Sequence, residues 1–318
     1  MARGQFFAVD PDQFEAAANL GMNAGLAFLV IACGTGKDNR TSAWSAEAVR
    51  RYTGIAWNRA NLAIDALKKA DIVAATMSKT RPRYKLPAPD HSRLIWMPNQ
   101  LVTSAAGEEC PLVRIRRTHE LDVLRVLVRM YAVHDLQNEG GIPRRLLWGS
   151  YTRERIVEHG AHVLYGLDYE TDTVRDSPIL AGIQREQWWP TLRLLGSTSL
   201  MQGIPWLFDG DHDEAEPIHP LGGDPAADRI VESLGRYLEW ADEIFPSVAN
   251  AREDFEWIIP IPNSYPKATI IRVFRLRYWP HAAYSLAGMA TTTESSLRAA
   301  FEYESLIEGG SRYAGVKH

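Results

Sequence analysis

Two groups of residues have types and spacing that could do chemistry: Trp57-Asn58-Arg59-Ala60-Asn61, and the cations Lys79, Arg81, Arg83 and Lys85. The chemistry they suit is recognition of a polyanion, not bond making. An asparagine amide can pair bidentately with adenine, and an arginine guanidinium with guanine, in the major groove of duplex DNA. Cations at alternate positions of a hairpin reach phosphates and set register without reading sequence. Trp57 has two readings that its residue type leaves open: a member of this contact set, or a large aromatic packed into the core.

Other constellations carry less. Gly34-Thr35-Gly36-Lys37 looks like a phosphate loop, but the GxxxxGK[ST] pattern is absent and an apolar tract precedes it where a strand is needed. A helix stop is expected there. The acidic run Asp209–Glu214, with Glu216 and His219 nearby, lacks calcium-loop spacing and is expected to be a solvated hairpin. His159 and His162 have no third ligand at metal-site spacing. Trp148, Trp188, Trp189 and Trp206 lie among apolar neighbours and read as core or interface rather than as stacking platforms. Arg272, Arg275 and Arg277 read as charges blunting a strand edge, with an accessory phosphate surface as the alternative. Cys33 and Cys110, the two cysteines, form no CxxC or Cys/His cluster, which argues against a disulfide framework and a structural zinc site. No catalysis, cofactor or metal is expected.

The elements that must position the first group can be read from the chain around it. Asp10-Pro11-Asp12-Gln13 is a helix start, with Asp10 as N-cap and Pro11 at the first helical position. An apolar helix is expected over Met22–Cys33, a short one from Ser45 to Tyr52, and a third over Ala56–Ala70. In the third, Ala60, Ile64 and Leu67 recur at helical spacing and give it an inward stripe. Trp57, Asn58, Arg59 and Asn61 then fall on its outward first turn. Ile72–Thr76 and Arg83–Leu86 read as two strands of a hairpin.

This order of helix, short polar segment, helix, tight turn, helix and hairpin resembles the winged helix-turn-helix family. The likeness rests on Thr53-Gly54-Ile55-Ala56-Trp57-Asn58-Arg59-Ala60, followed by Ala63-Ile64, Leu67 and Ile72-Val73, with Thr41-Ser42-Ala43-Trp44 where the family often has a short first strand. It covers residues ~22–86, about a fifth of the chain. One departure is Asp71, where many members carry glycine between the recognition helix and the wing. The resemblance implies that helix 56–70 enters the major groove and that wing 77–85 meets phosphate or the minor groove.

Charge is distributed to match. The 318 residues carry 35 Lys+Arg and 39 Asp+Glu, a formal net charge of −4. Between Lys37 and Lys85 eleven cations face four acids, a net +7, so the remainder of the chain holds −11. A concentrated positive segment is an electrostatic footprint for nucleic acid.

The expected fold class is α+β, mainly α. A helical arm (1–21) is followed by the winged helix-turn-helix (22–86) and a linker with a short strand (87–117). A helical, degenerate winged-helix-like domain (118–222) and a small C-terminal α+β region (223–318) complete it. In the former, helices are expected over Leu121–Leu136, Arg144–Leu167 and Glu186–Met201, ahead of a hairpin-like region from Ile204 to Leu221. In the latter, helices are expected over Ala227–Ile244 and from Thr291 to about Glu308, with strands over Trp257–Ile261 and Thr269–Tyr278. The expected function is sequence-specific binding of double-stranded DNA, as a bacterial or mobile-element transcriptional regulator. The acidic 118–318 region would form a homodimer or bind a protein partner. A plasmid- or phage-type replication initiator with the same reader is the alternative, and a protein-interaction scaffold without a nucleic-acid role is another. The longest apolar stretch, Gly25–Gly34, is about half of the ~20 residues a membrane span needs, and no signal peptide is visible. No membrane partner is expected, and the location is expected to be cytoplasmic and nucleoid-associated.

Overall fold

The computed structural model describes residues 6–77, 82–104, 107–135, 138–159, 162–173, 177–210, 215–220, 238–239, 241, 243, 245–251, 253–255, 257–263 and 267–278. Lys79 and Arg81, the acidic residues 211–214, most of the expected helix over 227–244 and the expected closing helix from Thr291 lie outside the described residues. The described residues fall into two compact units. One draws on 1–134, 178–202 and 276–282, the other on 135–177, 203–275 and 283–318.

The first unit opens with strand β1 (Phe6–Val9) and helix α1 (Pro11–Asn19). The Asp10 carboxylate caps α1 by accepting the N–H groups of Asp12 at 3.0 Å and Gln13 at 3.1 Å. Its second oxygen accepts the Asp90 N–H at 3.0 Å, which ties the helix start to a distant turn. Helix α2 (Met22–Cys33) is apolar on every side and buried from Ala24 to Cys33, as a central helix must be. It ends at Gly34, whose N–H donates to the carbonyls of Val30 and Ile31. A Cβ at Gly34 would lie 2.5 Å from Ser42 Oγ and 2.6 Å from Trp44 Cγ, so the glycine is required where the chain returns as β2 (Thr41–Ser42). Gly34-Thr35-Gly36-Lys37 is thus a helix stop.

Helices α3 (Ala46–Thr53) and α4 (Trp57–Lys69) follow, then strands β3 (Ala74–Met77) and β4 (Pro82–Lys85). The three short strands form an antiparallel sheet in the order β2-β4-β3. Strand β5 (Ile95–Pro98) pairs with β1, Val9 opposite Ile95. Helices α5 (Gln100–Thr103), α6 (Pro111–Arg117) and α7 (Leu121–Ala132) come next, and α8 (Arg185–Ser197) returns to this unit later in the chain. Val123, Leu124, Leu127, Val128 and Tyr131 of α7 are buried. On its other side Arg125 and Arg129 reach the Glu15 carboxylate of α1 at 3.2 and 2.7 Å.

The second unit overturns the expected fold class. Residues 144–167 were expected to be helical, as part of a winged-helix-like domain over 118–222. They instead form most of two long antiparallel strands, β6 (Trp148–His159) and β7 (His162–Thr173). With β8 (Met201–Asp209), β9 (Glu216–Pro220), β10 (Trp257–Pro262) and β11 (Ala268–Leu276) they build a six-stranded sheet, ordered β10-β7-β6-β11-β8-β9 and curled into a half-barrel. The architecture is not that of a mainly α, winged-helix protein, and the C-terminal strands belong to this sheet rather than to a small separate α+β region.

The physical reason is composition. Trp148, Tyr151, Thr152, Ile156, Val157, Val163 and Tyr165 are strand formers, and Gly149 and Gly166 weaken a helix. The Cβ that Gly166 lacks would lie 2.3 Å from the Phe255 ring, so the strand needs glycine there. One core cluster joins Leu164 and Leu167 to Leu207, Ile259 and Ile270, together with Val248 of a short helix α9 (Pro246–Ala251). A second joins Ile204, Trp206 and Phe208 to Ile271 and Val273. Ile270 and Ile271 are adjacent and serve different clusters, the two-residue alternation of a strand covered on both faces.

Candidate nucleic-acid interface

The turn between α3 and α4 is built by three consecutive residues. Thr53 is buried, and its hydroxyl donates to the Val49 carbonyl at 2.6 Å while accepting the Ile55 N–H at 3.2 Å. Gly54 takes the left-handed conformation, φ +68°, where a Cβ costs about 1–2 kcal/mol. Ile55 inserts into the core. A fourth residue, distant in sequence, closes the site: Arg116 of α6 donates its Nε–H to the Thr53 carbonyl at 2.8 Å. A guanidinium at a helix C-terminus both satisfies an orphan carbonyl and complements the helix dipole.

Helix α4 divides by exposure as its spacing predicts. Ala60, Ala63, Ile64 and Leu67 are buried, and Trp57, Asn58 and Arg59 are exposed in the first turn. Trp57 retains 49 % of its accessible surface, which decides between its two readings in favour of the surface. Asn61 is half-buried and its amide donates to the Trp57 carbonyl at 3.1 Å, so it is partly engaged by its own helix. No side chain caps the N-terminus of α4, and the backbone N–H groups of its first turn share the surface with Asn58 and Arg59.

The β3–β4 hairpin is fixed against α4. Tyr84 is buried, and Lys68 of α4 lies 5.9 Å from the centre of its ring while pairing with Asp65 at 3.0 Å. Burial pushes the Tyr84 hydroxyl above its usual range. Arg83 and Lys85 flank Tyr84 on the opposite face of β4, where both are exposed. The left-handed position between α4 and the hairpin is filled by Asp71 itself, φ +56°, and the N–H groups of Asp71 and Ile72 donate to the carbonyls of Lys68 and Leu67. The departure from glycine leaves the turn in the conformation that glycine would take.

The net +7 is not all presented to solvent as unpaired charge. Arg50 is held by Glu47 at 2.6 Å, Lys68 by Asp65, and Arg40 donates to the Leu86 carbonyl at 3.4 Å. Lys37, Arg51, Arg59, Lys69, Arg83 and Lys85 are exposed. In the loop entering β2, the Asp38 carboxylate accepts the N–H groups of Arg40 and Thr41 at 3.2 and 3.1 Å. Its slight burial raises its pKa, but hydrogen bonds from Thr41 and Arg40 outweigh that and leave it below the usual carboxylate value.

Two residues of this region were missed in the sequence. Leu62 is 67 % exposed on the outward face of α4, one turn beyond Asn58 and Arg59; counting i+3 and i+4 from those residues would have found it. Arg116 had no local signal, being 63 residues from its partner.

The remaining constellations resolve differently. Strand β11 lies between β6 and β8, so Arg272 and Arg275 are on an interior strand and do not blunt an edge. Arg272 donates to the Tyr151 hydroxyl at 2.9 Å, and Arg277, just past β11, pairs with Glu108 at 3.0 Å. Trp206 is buried and Trp188 donates its ring N–H to the Ile183 carbonyl at 2.9 Å, consistent with packing roles. Among the described residues no group of three or more His, Cys, Asp or Glu is placed to hold a metal ion, and no helix is long and apolar enough to cross a membrane. Comparison of the chain with protein-family models, with curated proteins and with solved structures gives no match in any of the three.

Proposed function

We propose that residues 22–86 bind double-stranded DNA sequence-specifically, in the manner of the winged helix-turn-helix family they resemble, and that the protein acts in transcriptional regulation. The observation that carries this reading is the outward face of α4. It presents Asn58 and Arg59 beside an uncapped helix N-terminus, with exposed Arg83 and Lys85 on the adjoining hairpin. Asn58 and Arg59 supply base-edge donors and acceptors. Arg83 and Lys85, with Lys37, Arg51 and Lys69, supply phosphate contacts. The acidic remainder of the chain stays off the duplex and serves self-association or a protein partner, and the protein is located with the nucleoid.

Two substitutions separate base reading from phosphate binding. Arg59→Ala should relax preference at one base position, at a cost of about 1–3 kcal/mol on the preferred site. Arg83→Ala should weaken every duplex alike and reduce the salt slope by about 1. Competition binding of each variant, with preferred and scrambled duplexes, reads both effects. Equal behaviour of the two variants on the two duplexes would remove the distinction on which sequence-specific reading rests. A protein partner is the competing use of exposed Trp57 and Leu62, and it predicts duplex affinity unaffected by either substitution.

A further inference from the structure

Leu62 is the most exposed of the four large hydrophobic residues that reach the surface among the described residues, the others being Leu20, Trp57 and Trp96. Two of the four stand on the single helix α4. Leu62 is three residues past Arg59 and four past Asn58, so its side chain lies beside theirs on the outward face. The next outward position, Asp65, pairs with Lys68, which closes the polar end of the row. The apolar side chain therefore sits between two candidate base readers and an ion pair, and exposed Arg59 and Lys69 on the same helix match a polyanion better than an apolar protein surface.

In the major groove the one apolar group that bases present is the 5-methyl of thymine, and aliphatic side chains recognise it. Resting on the reading of α4 as a groove-binding helix, we propose that Leu62 is a specificity residue that packs on a thymine methyl. The preferred duplex then holds an A·T pair beside the bases that Asn58 and Arg59 meet.

The test uses the full chain and a duplex selected from a random 20-base-pair library, about two turns of DNA. Each thymine of the selected duplex is replaced in turn by deoxyuridine, which removes only the methyl group. One replacement should weaken binding about fourfold, the value of one buried methyl. Leu62→Ala should bind the thymine and uracil duplexes equally, while keeping the salt dependence of the parent. Leu62 is exposed, so this variant folds; its thermal unfolding is measured beside the parent's to verify that. Selection of a site without thymine, indifference to every replacement, or the same fourfold loss in Leu62→Ala would each overturn the proposal while leaving DNA binding intact. Absence of any duplex binding at low salt would instead remove the DNA reading and this inference with it.

Discussion

At the scale of single residues, Asp71 shows a position where backbone conformation and side chain disagree. It holds φ +56°, a region that costs a residue with a Cβ about 1–2 kcal/mol and glycine nothing. Asp71→Gly should raise stability by up to about 1 kcal/mol, since glycine's greater freedom in the unfolded chain returns part of the gain. The urea midpoint reads this, and a lowered midpoint would show that the aspartate carboxylate contributes more than its backbone strain costs. Carboxylates set a second residue-scale expectation. Asp38, Glu47, Asp90 and Glu108 all lie below their usual pKa values. In Asp38, hydrogen bonds from Thr41 and Arg40 prevail over burial. In the others the leading causes are Arg50, the Ser92 hydroxyl and the Tyr278 hydroxyl, in that order. A depressed pKa means that the folded state binds fewer protons than the unfolded one. The stabilisation is therefore complete above the ordinary carboxylate range and is lost as pH falls through about 4 and below. Urea unfolding from pH 6 to 3 should show that decline, and Asp38→Asn should make it shallower; an unchanged slope would exclude Asp38 as a contributor.

Among the elements, the α3–α4 turn depends on a residue outside both helices. Arg116→Met removes a charged donor from the Thr53 carbonyl and should cost about 1–3 kcal/mol of stability. Hydrogen exchange at Gly54 and Ile55 should accelerate in the same variant, because their N–H groups donate to the Arg50 carbonyl and the Thr53 hydroxyl that this corner holds. Unchanged exchange there would mean that Thr53 and Gly54 set the turn alone. This contact marks the limit of what the sequence made legible. The α4 stripe of Ala60, Ile64 and Leu67, the Asp10 cap and the Gly34 stop are local and could be read directly. The β8–β9 hairpin was readable in the same way, at the acidic run Asp209–Glu214. Strands β6 and β7 are neighbours in sequence and pair with each other, so their strand-forming composition was a local signal that the helical reading passed over. Only their outer partners β10 and β11, about a hundred residues on, lie beyond any short window. Leu62 was legible from its helical spacing to Asn58 and Arg59, whereas the self-bonded Asn61 was not, because residue type does not say that an amide will turn back to its own helix.

For the whole molecule, the relevant quantity is where charge sits rather than how much there is. A net −4 combines a segment of +7, spanning Lys37–Lys85, with a remainder of −11. The strands of the half-barrel sheet carry four arginines, Arg153, Arg155, Arg272 and Arg275, against seven carboxylates, an acidic balance that does not favour a polyanion. If the basic segment binds DNA, counterions are released from the phosphates it neutralises, and log affinity falls linearly with log salt at a slope of about −0.9 per phosphate. Among the described residues of this segment six exposed cations lie outside the ion pairs named above, Lys37, Arg51, Arg59, Lys69, Arg83 and Lys85, and neutralisation of one phosphate by each would give a slope near −5. The most direct measurement is therefore the affinity of the full chain for a duplex between about 50 and 200 mM salt. Tight binding at low salt and a slope of about −3 to −5 are expected. Absence of binding at the lowest salt, or an affinity that does not change with salt, would contradict the DNA reading.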